Sequence, residues 1–215
     1  MISKKIEIKS PVDGSVLGEV VNSSVRDIPS YVSKARKAYN SWCFSAPHER
    51  AEILRSAAKK LSSKQKELTT LHTKESGKII LQSQKEISGA VGLLEANAHI
   101  GQYKSGTVAP TGGLPNGERD LTIIERVPLG IVVCVIPFNF PIELAFEKAS
   151  AAIVAGNVVL LKPPPQNPLA TIMAVQTLID SGLPKNVMQI LPGGNKFSEA
   201  LCSESGVDAV SLTGS

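Results

Sequence analysis

The stretch VPLGIVVCVIPFNFPIELAFEKASAAIVAGNVVLLKP, residues 127–163, decides the fold. It holds two apolar segments, 130–136 and 158–162, and between them a segment that begins at Pro141 and ends at Gly156. Proline is favoured in the first turn of a helix and glycine directly after its end. Two nearly continuous apolar strands joined by a helix are typical of a parallel βαβ unit, whose strands are covered on both faces.

The same pattern continues toward the C-terminus. A helix from Pro168 ends at Gly182, and it is followed by a strand at 187–191, a short helix at 198–203 and a strand that begins at 207. The sequence therefore predicts an α/β fold with an open, mostly parallel, Rossmann-like sheet and helices on both faces. The strands end in PFNFP, KPPPQNP, PGG and TGS. In such sheets ligands bind at the carboxyl ends of the strands, so these segments predict a site.

The remainder of the chain divides into two parts. Residues 1–102 are predicted to be an N-terminal helical part with four helices from about residue 27, with Ser62 as a cap of the third and Gly77 as its end. Residues 103–127 are rich in Gly, Pro and Asn and predict a protruding β-hairpin arm. Residues 128–215 then form the βαβ part.

Composition excludes several classes of protein. Of the 215 residues 42% are hydrophobic and 20% charged, the net charge is +4, and only 4% are aromatic, so neither a basic patch nor a base-stacking surface for nucleic acid is expected. No apolar segment is long enough to span a bilayer, and the N-terminus lacks a signal peptide. Three unpaired cysteines favour a reducing cytoplasm, and three scattered histidines predict no metal site.

Several segments together resemble one family. They are SPVDGSVLGEV at 10–20, KESGK at 74–78, the stretch at 127–163, SGLPKNVMQILPG at 181–193 and the closing VSLTGS. Pro, Gly, Asn, Lys and Gly-Asn occur in them in the order and spacing of the aldehyde dehydrogenase superfamily, which this chain resembles nearly from end to end. The resemblance covers the N-terminal, NAD(P)-binding portion of that family.

The resemblance implies an activity for the intact protein. Members oxidise a small aldehyde to a carboxylic acid through a thiohemiacetal and a thioester on a cysteine. That cysteine and a glutamate base are expected beyond residue 215, so we expect the chain to be truncated before the catalytic domain and inactive alone. Two alternatives stay open: a non-catalytic dinucleotide-binding fragment, and a CoA-acylating aldehyde dehydrogenase. The aldehyde itself is not predicted.

Two residues are candidates for the chemistry. The resemblance implies that the Asn139 amide stabilises the oxyanion formed when the thiolate attacks the aldehyde; the alternative is an asparagine that bonds to backbone in a turn. Lys148 resembles a buried lysine near the active site in a proton path, and a surface lysine is equally compatible with the sequence. Val135, Ile136, Pro137 and Phe138 would line the nicotinamide side.

The other candidates would hold the rest of NAD or NADP. The resemblance places Lys162 at the adenosine ribose, although a solvated lysine is the alternative, and Gly193 near the adenine, although a simple turn is possible. Gly214 and Ser215 would begin the turn at the pyrophosphate. Pro165 stands where many members have a glutamate that holds the ribose 2′-hydroxyl and repels a 2′-phosphate, so NADP is expected to be tolerated.

The predicted arm at residues 103–127 bears on the oligomeric state. Its apolar strands have no evident partner in this chain, and in the family this region serves oligomerisation. A homodimer or homotetramer is therefore expected for the intact protein.

Overall fold

The computed structural model describes residues 5–103, 106–109 and 120–214. It begins with an antiparallel pair of strands, β1 (Lys5–Lys9) and β2 (Val16–Val21), that the sequence did not predict. In this pair only Ile8 and Val20 are buried, so the alternation that identifies a strand is too short to recognise. Leu169 packs against β2 at Gly18 and ties the hairpin to the rest of the molecule.

Four helices follow, as predicted. After a short 3-10 turn at Val25–Asp27 they are α1 (Ile28–Trp42), α2 (Pro47–Ser63), α3 (Gln65–Ser76) and α4 (Ile80–Ile100). The prediction that Ser62 caps the third helix is wrong, because α2 continues to Ser63. The Ser63 hydroxyl donates to the carbonyl of Lys60 in its own helix, so the serines complete α2 and do not open α3. The end of α3 directly before Gly77 is as predicted.

The hairpin predicted for residues 103–127 is present. Strands β3 (Gly106–Ala109) and β4 (Thr122–Glu125) pair antiparallel, from Gly106 opposite Glu125 to Ala109 opposite Thr122. We call these two strands the arm. The expected tip at residues 110–119 lies outside the described residues.

The C-terminal half forms the predicted parallel sheet. Its strands are β5 (Ile131–Val135), β6 (Val158–Lys162), β7 (Met188–Ile190) and β8 (Ala209–Leu212), and their spatial order is β7-β6-β5-β8. The connecting helices are α5 (Pro141–Val154), α6 (Pro168–Ile179) and α7 (Asn195–Cys202). All three strand pairings in this sheet are parallel.

Strand order places the helices on both faces, as predicted. The chain steps from β5 to β6 to β7 in one direction and then returns past both to β8. Because parallel crossovers are right-handed, α5 and α6 cover one face and α7 covers the other. Every residue of β6 is buried, which is expected for a strand with helices on each side. The layer of α2 and α4 packs on the outside of α5.

Candidate functional site

The four strands of the sheet bring their carboxyl ends to one edge. At this edge Val135 lies beside Lys162 on one side and beside Leu212 on the other. The backbone continues the pairing past the strand, since the Ile136 N–H donates to the carbonyl of Lys162 at 3.1 Å. The turns after β5, β6 and β8 therefore lie side by side at one edge of the sheet.

The predicted residues in the turns after β5 and β8 are in near contact. A methyl group built at Gly214 would lie 3.8 Å from Cβ of Pro137, and Gly214 has φ of 138°, a conformation that suits glycine. Phe138, the next residue after Pro137, exposes 60% of its surface at the same edge. Val135 is half-buried and Ile136 is buried beneath it. Ser215 lies outside the described residues.

Asn139 is exposed in the turn between β5 and α5. Its Oδ1 accepts a hydrogen bond from the N–H of Phe140 at 3.0 Å, which fixes the side chain against the local backbone. In the described part of the chain its Nδ2 makes no hydrogen bond. The turn-stabilising and the functional interpretations are thus compatible, because they use opposite ends of one amide.

Two residues that the sequence analysis missed hold this turn in place. Asn167, just before α6, is 3% exposed, and its Nδ2 donates to the carbonyl of Phe138 at 2.9 Å. The Lys78 ammonium lies 4.1 Å from the centre of the Phe140 ring, a cation–π contact. The carbonyl before Asn139 and the ring after it are both fixed.

A buried carboxylate caps the N-terminus of α5. Oε1 of Glu86, on α4, accepts from the N–H of Ile142 at 2.9 Å, and its Oε2 accepts from Nε2 of His72 at 2.8 Å. Lys78 forms an ion pair with the same carboxylate. Burial alone would raise the pKa of Glu86, but the hydrogen bonds and charges of His72 and Lys78 together lower it. The group is held as a carboxylate at the positive end of the helix dipole.

A second buried carboxylate does the same for α6. Oε1 and Oε2 of Glu75 accept from the N–H groups of Leu169 and Ala170 at 2.6 and 2.8 Å. Burial raises the pKa of Glu75 in spite of these two donors. The N-termini of α5 and α6 are therefore filled by the protein's own carboxylates and offer no place for a phosphate.

The position of Glu86 within the helical spacing of apolar residues could have identified it from sequence. The buried residues of α4 include Ser83, Glu86, Ala90 and Leu94, at helical spacing, so Glu86 occupies a position on the apolar stripe. His72, one of the three scattered histidines, is fully buried.

Lys162 ends β6 with only 4% of its surface exposed. Burial lowers the pKa of Lys162, and the nearby Cys202 thiol offsets part of this effect. Within the described residues its ammonium has neither a hydrogen bond nor an ion pair. The stem of Lys162 is buried while its ammonium keeps contact with solvent at the sheet edge, where a ligand with oxygen acceptors can bind it.

The turns after β6 and β7 complete the edge. Pro165 is half-buried, and Gly193 is buried beside Phe197. A methyl group at Gly193 would lie 2.4 Å from Cδ1 of Phe197, so glycine is required there for packing. The Leu191 N–H donates to the carbonyl of Leu161 at 2.8 Å, which brings this turn alongside β6.

Lys148 does not lie at this edge. It is half-buried seven residues into α5, which is about 10 Å along the helix from its start. Its charge acts on Cys134, in the interior of β5. Burial raises the pKa of Cys134 to about 12, as expected for a core thiol and not for a nucleophile.

A model of the aldehyde dehydrogenase family matches residues 2–215. The chain belongs to the aldehyde dehydrogenase family. It is 30% identical over 214 residues to aspartate-semialdehyde dehydrogenase 1 of Pseudomonas canavaninivorans, covering 100% of this chain and 46% of that protein. It is also 30% identical to a benzaldehyde dehydrogenase [NAD(+)] of Pseudomonas putida, over 97% of this chain and 42% of the relative.

Solved structures agree with the family. An NADP-dependent glyceraldehyde-3-phosphate dehydrogenase of Bacillus halodurans, complexed with NADP, superposes with a TM-score of 0.92 at 27% identity, over 96% of this chain and 44% of that one. An NAD-dependent benzaldehyde dehydrogenase of Corynebacterium glutamicum gives 0.91 at 25% identity, over 99% and 46%. The chain thus spans less than half the length of these aldehyde dehydrogenases and matches their N-terminal part.

Two further observations bear on the expectations from composition. No helix in the described ranges is both long and apolar enough to cross a membrane. Across the same ranges, His, Cys, Asp and Glu side chains form no group of three or more that could hold a metal ion.

Proposed function

We propose that this chain is the dinucleotide-binding part of an NAD(P)-dependent aldehyde dehydrogenase that oxidises an aldehyde to a carboxylic acid. The observation that carries the proposal is one sheet edge with two unsatisfied polar groups of the right kind. These are the ammonium of Lys162, at the end of a buried side chain, and the amide Nδ2 of Asn139, neither of which makes a hydrogen bond in the described part of the chain. The experiment is a titration of the chain with NADP and NAD.

The residues at the edge fit a pyridine dinucleotide. Lys162 supplies donors for the hydroxyl or phosphate oxygens of a ribose, and the adenine is proposed to lie near the turn at Gly193, where Phe197 packs against the glycine. Phe138 offers an exposed aromatic face above Val135, Ile136 and Pro137. Since α5 and α6 are capped by Glu86 and Glu75, the turn at Gly214 and Ser215 is the proposed pyrophosphate position. When bound, the dinucleotide supplies a hydride acceptor.

The role proposed for Asn139 is electrostatic. Its Nδ2 donates to the aldehyde oxygen as negative charge develops on it, and the Oδ1 contact with Phe140 keeps the donor oriented in advance. Asn167 and Lys78 fix the turn before substrate binds. The entropy of ordering the turn is therefore not lost during the reaction. The nucleophilic cysteine and the base are proposed to come from sequence beyond residue 215. Lys148 lies away from the sheet edge, so we propose no contact between it and the aldehyde. Its proposed role is limited to proton movement.

The chain by itself is proposed to bind dinucleotide without turning over aldehyde. Cys134 is a core residue whose thiol has a pKa of about 12, and burial raises the pKa of Cys202 as well. A raised pKa keeps both thiols protonated, and only the thiolate is a reactive nucleophile. Neither cysteine is therefore suited to attack an aldehyde. A CoA-acylating enzyme remains the alternative for the intact protein, although no described residue favours it.

Pro165 is proposed to permit NADP binding. A half-buried proline at this turn carries no negative charge to repel a 2′-phosphate. We expect Pro165→Glu to weaken NADP binding at least about tenfold while NAD binding changes by less than about threefold. Calorimetric titration of both variants with both dinucleotides measures this. An equal effect on NAD and NADP would contradict a role in selecting the cofactor.

The arm and the cellular setting complete the proposal. Val108, Ile123 and Ile124 on the arm each expose more than half of their surface, which supports a homodimer or homotetramer that covers them in the intact protein. Three free cysteines support a reducing, cytoplasmic setting.

A further inference from the structure

A cavity of about 750 Å³ lies at the opposite end of the sheet from the candidate site. Its walls come from the ends of α1, α4 and α5, from the start of α2, and from residues that precede β5. Both connections of the arm contribute, through Tyr103 before β3 and through Arg126 and Val127 after β4. Its size is within the range of small-molecule sites.

Arg50 lines this cavity and is only 8% exposed. Nε donates to the carbonyl of Val154 at 2.8 Å, and Nη1 donates to the carbonyl of Ser45 at 2.6 Å and to its hydroxyl at 3.3 Å. In the described part of the chain Nη2 makes no hydrogen bond and no carboxylate pairs with Arg50. Two donors of a buried guanidinium are left for a ligand.

The remaining walls determine which ligand fits. None of the described residues that line the cavity is acidic, and a second guanidinium, from Arg126, is exposed at its rim. The same lining includes large apolar side chains that face solvent: Phe44 is 86% exposed, Ile100 68% and Val127 74%. Exposed apolar groups gathered at one concave surface indicate binding.

We propose that this cavity binds an amphipathic carboxylate, a small acid with a hydrocarbon tail. The carboxylate accepts from Nη2 of Arg50 and from Arg126, for which the planar guanidinium is well shaped. The tail covers Phe44, Ile100 and Val127. The site is separate from the dinucleotide edge, and the inference does not depend on the proposed function.

Octanoate is the probe, titrated calorimetrically into the 215-residue chain. We expect a Kd of about 1 mM or tighter, weakened at least about tenfold in Arg126→Gln and in Phe44→Ser, both of which change exposed side chains. The matched control is Arg26→Gln, an exposed arginine outside the cavity, which should bind as the wild type does. Unchanged thermal unfolding of the variants shows that the fold is intact.

Two comparison ligands distinguish the contribution of the carboxylate head group from that of the hydrocarbon tail. Octylamine, which has the same tail and the opposite charge, should not bind, and inorganic phosphate should not displace octanoate. Failure of octanoate to bind at about 10 mM would overturn the proposal. So would equal binding of octylamine, displacement by phosphate, or wild-type affinity in Arg126→Gln.

Discussion

Glu86→Ala is expected to lower the free energy of unfolding of this chain by about 3–5 kcal/mol, the range for breaking a buried charged network. The substitution removes a carboxylate that is 1% exposed and that caps α5 through the N–H of Ile142. It also leaves Lys78 and His72 without their acceptor. Urea unfolding followed by circular dichroism measures the loss.

Glu95→Ala is the matched control. Glu95 lies on the same helix, α4, but is exposed, so its replacement should change stability by less than about 0.5 kcal/mol. Equal stabilities of the two variants would show that Glu86 is not the cap described.

The same carboxylate gives the stability of the chain a pH dependence. The pKa of Glu86 is below its ordinary value of 4.5 in the folded chain, so its contribution is present above that value and is lost as pH falls through the folded pKa. Glu86→Gln should therefore remove part of the acid-induced loss of stability. Glu75 works in the opposite sense, because its pKa is raised in the folded chain.

Asn139→Ala is expected to lower kcat by about 10²–10³, or about 2.7–4 kcal/mol of barrier, in any form of the protein that oxidises aldehyde. The reason is the loss of the side-chain donor Nδ2, which makes no hydrogen bond in the described part of the chain. Steady-state kinetics give kcat, and calorimetry should give an NADP affinity close to that of the wild type. An unchanged kcat, or a loss confined to NADP binding, would contradict the oxyanion role.

Asn40→Ala is the control for a nonspecific effect of losing an amide. Asn40 is exposed on α1, away from the sheet edge, and its replacement should leave kcat unchanged.

Local chemistry made much of this fold predictable. The strand at 158–162 was predicted to the residue, because an apolar run between Gly156 and the prolines after Lys162 has few alternatives. The edge positions of Val135, Lys162, Gly193 and Gly214 also follow from sequence, since parallel strands deliver their turns to one side.

What sequence did not reveal depends on contacts between distant segments. Glu86 and Ile142 are 56 residues apart, Glu75 and Leu169 are 94 apart, and no local pattern links them. An acidic residue on an apolar helix face indicates a buried carboxylate with a hydrogen-bond partner elsewhere in the fold. The helix pattern alone does not identify that partner. The electrostatic effect of Lys148 on Cys134 likewise depends on the packing of α5 against the sheet.

The central claim is that the sheet edge at Lys162 receives a pyridine dinucleotide. Calorimetric titration of this chain with NADP tests it, comparing wild type with Lys162→Met, which keeps the apolar stem, and with the exposed control Lys37→Met. We expect micromolar binding to the wild type and the control, and binding at least about tenfold weaker in Lys162→Met. Equal affinity in all three, or no binding to the wild type at about 1 mM, would contradict the account.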